Sequence, residues 1–144
     1  MAIPVFGQPQ PGIQYTDRPG AYGILLNEDR WVALVKTPNG RFLPGGGLEG
    51  KETPEQALHR EIFEEVGIRI LSSQAIGEAA QYVYSRFYKQ GFRKHGYFYT
   101  CTWELVPGST PQADHSLEWF KSENVLEAMS LDFQKWMIKK SLGL

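Results

Sequence analysis

Apolar and polar positions along the chain follow two different periods, and each period predicts its own kind of element. Short apolar runs at residues 21–26 and 31–36, with a polar tetrapeptide between them, predict two strands of a hairpin. Further strands are expected at 41–43, 68–85, 96–106 and 117–121, with breaks near Ser72–Ser73 and Gly77 in the longest of these segments. Segment 96–106 has the strongest strand composition because aromatic residues and threonine fill it.

A helical period replaces this pattern after residue 53. Three aliphatic residues recur four positions apart and form one apolar row: Leu58, Ile62 and Val66. Thr53 suits the N-cap, Pro54 the first helical position and Gly67 the C-terminal stop. Two closing helices are expected at 122–128 and 131–142.

The order of strands, helix, strands and helices predicts one domain over residues 1–144, with a mixed sheet flanked by helices. This is an α/β (α+β) class. Residues 1–20 contain four prolines and three glycines and show no period, so they are expected to form an irregular N-terminal arm.

Composition narrows the function classes. The formal net charge of −1 argues against broad nucleic-acid binding, which leaves a basic footprint. A single cysteine, Cys101, excludes an intrachain disulfide and a cysteine-based metal site. The N-terminal residues lack a signal-peptide pattern, and no apolar run approaches the roughly 20 residues that span a bilayer. A cytoplasmic protein with no membrane partner is expected, and its oligomeric state, including a homodimer, is left open.

Three carboxylates gather near the end of the first helix, where the helix dipole favours cations instead. At 100° per residue, Glu61, Glu64 and Glu65 fall on an arc of roughly 100°, beside the apolar row. Like charges at this spacing cost roughly 0.2–0.5 kcal/mol. A divalent cation reverses that balance because carboxylate oxygens are the ligands that Mg²⁺ and Mn²⁺ prefer.

The segment GGGLEGKETPEQALHREIFEEVGI, residues 45–68, carries a longer pattern. Its fixed positions follow G-x5-E-x7-R-E-U-x-E-E-x-G-U, where U is aliphatic, without departure: Gly46, Glu52, Arg60, Glu61, Ile62, Glu64, Glu65, Gly67 and Ile68. This pattern resembles the Nudix box of the MutT-like Nudix hydrolases, and it covers residues 46–68 only.

The resemblance implies an α/β/α sandwich with a central mixed sheet, and a Mg²⁺-dependent site, with Mn²⁺ as an alternative metal. The expected reaction is hydrolysis of a nucleoside diphosphate linked to another moiety. By similarity, Glu61 and Glu65 are the primary metal ligands and Glu64 binds metal directly or through water. Gly45 would add a carbonyl ligand. Glu64 and Glu65 are also catalytic candidates.

By the same similarity, Glu52 and Arg60 orient the loop and the glutamates. Outside the box, Glu118 precedes a tryptophan and is the candidate for a further metal ligand or the general base. Asp114 and His115 are its alternates.

Four residues are candidates for substrate binding: Arg18, Tyr82, Tyr84 and Arg86. Tyr84 stands 16 residues past the box, near where some related diadenosine-polyphosphate hydrolases carry a tyrosine. The substrate is expected to be a small nucleotide or nucleotide derivative. Hydrolysis of a diadenosine polyphosphate or a nucleotide sugar remains an alternative. The non-enzymatic alternative is a regulatory module that binds a nucleotide without turnover.

Overall fold

The computed structural model describes residues 2–144, which form eight strands and three helices. The strands are β1 (Val5–Phe6), β2 (Tyr15–Ile24), β3 (Val32–Thr37), β4 (Gly40–Phe42), β5 (Gly45–Gly47), β6 (Ile68–Ser85), β7 (Gln90–Leu105) and β8 (Ser116–Phe120). The helices are α1 (Pro54–Val66), α2 (Ser122–Ala128) and α3 (Asp132–Leu142). None of these helices has both the length and the apolarity needed to cross a bilayer.

The strands form two sheets. The larger has the order β1-β6-β7-β2-β5 and is mixed, because β2 and β7 run parallel whereas β6 and β7 run antiparallel. The smaller has the order β4-β3-β8 and is antiparallel. One core cluster contains the apolar face of α1, and the other contains those of α2 and α3. The predicted α/β/α sandwich with a mixed sheet is confirmed.

Helix α1 begins and ends where the sequence indicates. The Thr53 hydroxyl accepts the Gln56 N–H, and the Gln56 side chain accepts the Thr53 N–H, which forms a capping box. Gly67 ends the helix in the left-handed region, with a φ of 70°. Leu58 and Ile62 are fully buried, and such side chains contribute roughly 1.5–3 kcal/mol each. The helix is therefore held firmly enough to fix the glutamates beside this apolar row.

Three local expectations differ from the structure. Residues 15–20 belong to β2, because β7 pairs with this stretch in spite of Pro19, so the irregular arm is shorter than predicted. Segment β6 is one strand of 18 residues, and its expected breaks are register shifts at Ile70/Ser72 and Ala75/Gly77. The three glycines of β5 form a short strand against β2.

Candidate metal and substrate site

The glycine strand β5 allows α1 to approach the sheet. A Cβ on Gly46 would lie 2.5 Å from Glu61 Oε2, so the Glu61 carboxylate occupies space that only glycine leaves free. Gly45 has a φ of 140°, and a Cβ there would collide with the Ala21 carbonyl oxygen. The sequence thus brings one carboxylate of the box against backbone.

Arg60 is the centre of a charged network at the start of the site. Its Nε and Nη2 donate to the two carboxylate oxygens of Glu52 at 2.6 and 2.8 Å, and Nη2 also donates to the Gly47 carbonyl at 3.0 Å. Its Nη1 donates to Glu61 at 3.0 Å and to Glu64 at 3.2 Å. Hydrogen bonds from Arg60 lower the pKa of Glu52 to about 2. Arg60 therefore links Glu52 and the loop carbonyl of Gly47 to two glutamates, and the orienting role implied for Arg60 and Glu52 stays a prediction.

Glu65 is the most buried of the three glutamates, with 8% of its surface exposed. The Gly45 N–H donates to its Oε1 at 3.2 Å. Burial raises the pKa of Glu65 to about 7, the Gly45 hydrogen bond opposes the rise, and the Glu61 charge adds to it. Burial, followed by the Glu65 and Glu61 charges, also raises the pKa of Tyr22 to about 12. Negative potential is thus concentrated at this point.

His115 approaches Glu65 from the segment before β8. Its Nδ1 lies 3.4 Å from Glu65 Oε2, and this buried nitrogen makes no hydrogen bond within residues 2–144. His115, one of the two alternates to Glu118 as metal ligand or general base, thus lies beside Glu65 of the box.

The donor chemistry of this region suits a hard divalent cation. Glu61 and Glu64 each use one carboxylate oxygen for Arg60, which leaves a second oxygen on each, and Glu65 adds a buried carboxylate. No set of three or more acidic, histidine or cysteine side chains in the described chain is already arranged as a metal cage. These three glutamates are the residues that would hold Mg²⁺ or Mn²⁺. The predicted Gly45 carbonyl ligand remains a prediction.

A cavity of about 400 Å³ opens beside Glu65. One end is formed by Glu65, Tyr22 and strand β5, and the other by Arg18, Lys94 and aromatic side chains. Residues from five strands and two helices line it, among them Phe42, Leu43, Val83, Tyr84, Tyr88, Phe92 and Gln134. The cavity therefore has an acidic end, where Glu65 is the acidic residue of the lining, and a basic end formed by Arg18 and Lys94.

The structure separates the four predicted substrate residues into two pairs. Arg18 and Tyr84 line the cavity. Tyr82 does not, and its ring packs edge-on against Tyr15 at a centroid distance of 5.1 Å. Arg86 lies in the exposed turn between β6 and β7 and is also absent from the lining. The substrate roles of Tyr82 and Arg86 stay predictions without support from their positions.

Glu118 lies apart from the other predicted carboxylates. It pairs across β8 and β3 with Leu34, which belongs to the core of α2 and α3, whereas its neighbours Leu117 and Trp119 pack on the α1 side. Arg41 Nε donates to Glu118 Oε1 at 2.7 Å. Glu118 does not line the cavity, and its hydrogen-bonded side-chain partner is Arg41 rather than Arg60. Its role as ligand or general base stays a prediction.

Sequence reasoning missed two residues of this cavity. Tyr22 was read only as part of a strand, and Gln134 only as part of a closing helix. Gln134 is 1% exposed, and its Oε1 accepts the Leu43 N–H at 2.9 Å. A polar residue inside the apolar row of a helix is the signal that could have identified Gln134.

Comparison with known proteins gives a consistent result. The NUDIX domain model matches residues 16–140. The chain is 44% identical over 57 residues to a "MutT-like protein" of Streptomyces ambofaciens, covering 38% of this chain and 37% of that protein. It is 42% identical over 60 residues to the "Putative 8-oxo-dGTP diphosphatase" of Bacillus subtilis (strain 168), covering 40% of each. The chain thus spans about two fifths of the length of these curated relatives.

Solved structures share the fold at lower identity. The MutT protein of Methanosarcina mazei Go1 has a TM-score of 0.69 at 16% identity, covering 90% of this chain and 95% of that one. A MutT from work on Aliivibrio salmonicida and Vibrio cholerae has a TM-score of 0.66 at 21% identity, covering 89% and 98%. The family model extends from β2 into α3, far beyond the short motif, and this chain therefore belongs to the NUDIX domain family.

Proposed function

We propose that this protein is a Mg²⁺-dependent pyrophosphohydrolase whose substrates are nucleoside diphosphates linked to another moiety. One observation carries the proposal. Glu65 lines the acidic end of a cavity, where burial and the neighbouring Glu61 charge already disfavour its ionised form, and Arg60 holds Glu61 and Glu64 together. A site with this excess of negative charge binds a pyrophosphate only together with cations.

The residues of the site have different proposed roles in binding the cation and the substrate. Glu61, Glu64 and Glu65 would hold the cation, and Arg60 with Glu52 keeps two of these carboxylates and the Gly47 carbonyl in place. A bound divalent cation neutralises phosphate charge, lowers the pKa of water and stabilises the leaving phosphate. The Gly45 N–H orients Glu65, and the cavity holds the rest of the substrate.

The organic part of the substrate is expected to stack in the cavity. Aromatic side chains of its lining, including Tyr84 and Tyr88, offer faces for a base, at roughly 1–3 kcal/mol each. The name of the Bacillus subtilis relative favours an oxidised nucleoside triphosphate as one candidate. The position of Tyr84 favours a diadenosine polyphosphate as the second.

The decisive experiment measures phosphate and pyrophosphate release with and without Mg²⁺ over a substrate panel. The panel contains nucleoside triphosphates, dinucleoside polyphosphates, ADP-ribose and nucleotide sugars. Glu65→Gln should lower kcat by at least about 100-fold, because it removes one charge that holds the cation. Glu104→Gln is the matched control, since Glu104 lies on β7 in an exposed pair with Arg69, and should retain activity.

Two outcomes would count against the proposal. Activity unchanged in Glu65→Gln would remove the box from the chemistry. Nucleotide binding in the wild type without turnover of any panel member would instead favour the regulatory module.

A further inference from the structure

Two cationic side chains face the cavity far from the glutamates. Arg18 and Lys94 are direct neighbours in the register of the parallel strands β2 and β7, and both line the cavity. Within residues 2–144 neither forms an ion pair with an acidic side chain. Arg93, which points to the other side of the same strand, approaches Asp17 at 3.8 Å. The chain thus leaves two adjacent cations without a counter-ion inside its cavity.

Lys94 is the costlier of the two charges because it is partly buried, whereas Arg18 is exposed. Burial lowers the pKa of Lys94, and the neighbouring Arg18 charge lowers it further. The Arg18 guanidinium rests on the Phe92 ring, 4.5 Å from its centroid, which holds the charge in place without neutralising it. A doubly charged anion is the partner that relieves both the repulsion and the desolvation.

Position separates this pair from the pyrophosphate site. Tyr22 pairs with Gly45, whose N–H binds Glu65, so Tyr22 marks the glutamate end of β2. Arg18 stands four residues before Tyr22, about 13 Å along the strand at roughly 3.3 Å per residue. Arg18 also stands three residues before Ala21, whose partner Gly46 lies against Glu61. Its guanidinium leans further away, because Phe92 pairs with Thr16 rather than with a residue nearer Tyr22. One diphosphate cannot occupy both ends.

We infer that Arg18 and Lys94 form a subsite for a phosphate monoester carried by the part of the substrate remote from the hydrolysed linkage. This inference rests on the proposed function and deepens it. The favoured substrate is then a pyrophosphate whose organic part bears a further phosphate group, in place of the two candidates named above, neither of which has one. A phosphate monoester has a charge of about −1.5 to −2 at pH 7, which matches two neighbouring cations.

A binding experiment tests the subsite apart from catalysis. In EDTA the glutamate end has no cation and repels phosphate, so calorimetry with AMP and with adenosine reports on the basic end alone. AMP should bind at least about tenfold more tightly than adenosine, as expected for one net charge-assisted contact. Lys94→Met should abolish this preference. Arg18→Gln should do the same, and because Arg18 is exposed this substitution is not expected to disturb folding. Arg93→Gln, on the opposite face, should keep it.

Turnover then tests the substrate class, with NADP⁺ against NAD⁺ and coenzyme A against its dephosphorylated form. For at least one pair, kcat/KM of the phosphorylated member should be about tenfold higher, and Lys94→Met should remove that advantage. AMP binding no tighter than adenosine, or equal turnover within both pairs, would overturn the inference. Turnover without preference leaves the proposed function standing, whereas phosphate-selective binding without any turnover supports the subsite and defeats that function.

Discussion

Glu65 carries a charge that lowers the stability of the metal-free fold. It is almost fully buried, the Glu61 carboxylate repels it, and a single backbone N–H from Gly45 partly compensates. An uncompensated buried carboxylate destabilises the folded state unless it takes up a proton or meets a cation. At the residue scale, the proposed function therefore corresponds to a carboxylate, Glu65, that destabilises the folded protein when no cation is bound.

The destabilising Glu65 carboxylate predicts how the stability of the metal-free protein changes with pH. Folding raises the pKa of Glu65 from 4.5 to about 7, so its protonated form is favoured in the folded state. The stabilisation is complete below pH 4.5 and is lost as pH rises through 7, by up to about 3 kcal/mol. Urea unfolding in EDTA should show a lower free energy of unfolding at pH 8 than at pH 5, with most of that difference absent in Glu65→Gln.

The window from pH 5 to 8 avoids the opposite contribution of Glu52. Its pKa is lowered, so its stabilisation is present above pH 4.5 and disappears as pH falls towards 2. Glu104→Gln serves as control and should keep the wild-type slope. An unchanged slope in Glu65→Gln would show that the carboxylate is already ionised at low cost.

Gln134 presents a second buried polar group, with a purely structural contact. Its Oε1 satisfies the Leu43 N–H, so Gln134→Met, which keeps the length but removes the acceptor, should lower the free energy of unfolding by about 1–3 kcal/mol. Lys139→Met on the exposed face of α3 is the control and should change stability little. Equal stability of the two variants would mean that the Leu43 N–H finds another partner.

Elements differ in how much of their structure local sequence determines. Helix α1 was predicted to the residue, because Thr53, Pro54 and Gly67 are end signals that act within one turn. Strand β5 was not, since three glycines have no strand propensity and are held by pairing with β2. The first half of β2 was missed for a similar reason: its ladder with β7 joins segments about 75 residues apart in the chain.

The glycines of β5 predict a sharp contrast between neighbouring positions. Gly46→Ala would place its methyl group against the Glu61 carboxylate, whereas a Cβ on Gly47 meets nothing closer than the Pro19 carbonyl oxygen at 3.8 Å. Displacing a positioned carboxylate by about 1 Å is expected to lower kcat by roughly 100-fold. Gly47→Ala should stay near wild type in the same assay. Comparable losses in both variants would assign the effect to strand flexibility.

The whole molecule brings together what no local window of sequence contains. The box predicted the acidic cluster because all its members lie within 23 residues. The cavity draws on β2, β4, β5, β6, β7, α1 and α3, so Tyr22, Lys94 and Gln134 meet only after the sheet has formed. Glu118 shows the converse. Its position before a tryptophan led to the prediction that it joins the glutamates, whereas its strand register pairs it with Leu34 of the α2 and α3 core.

Charge separation across the cavity predicts how the intact protein responds to Mg²⁺. The net charge of −1 is nearly neutral although the cavity has an acidic end and a basic end. A divalent cation is expected to stabilise only the acidic end. At pH 8, Mg²⁺ at 100 times its dissociation constant should raise the free energy of unfolding by about 2.7 kcal/mol. The double variant Glu61→Gln/Glu65→Gln should lose this gain, while Lys94→Met, which changes only the basic end, should retain it. Mg²⁺ stabilisation of equal size in the double variant, measured by the same urea titration, would locate the cation elsewhere and remove the physical basis for hydrolysis at α1.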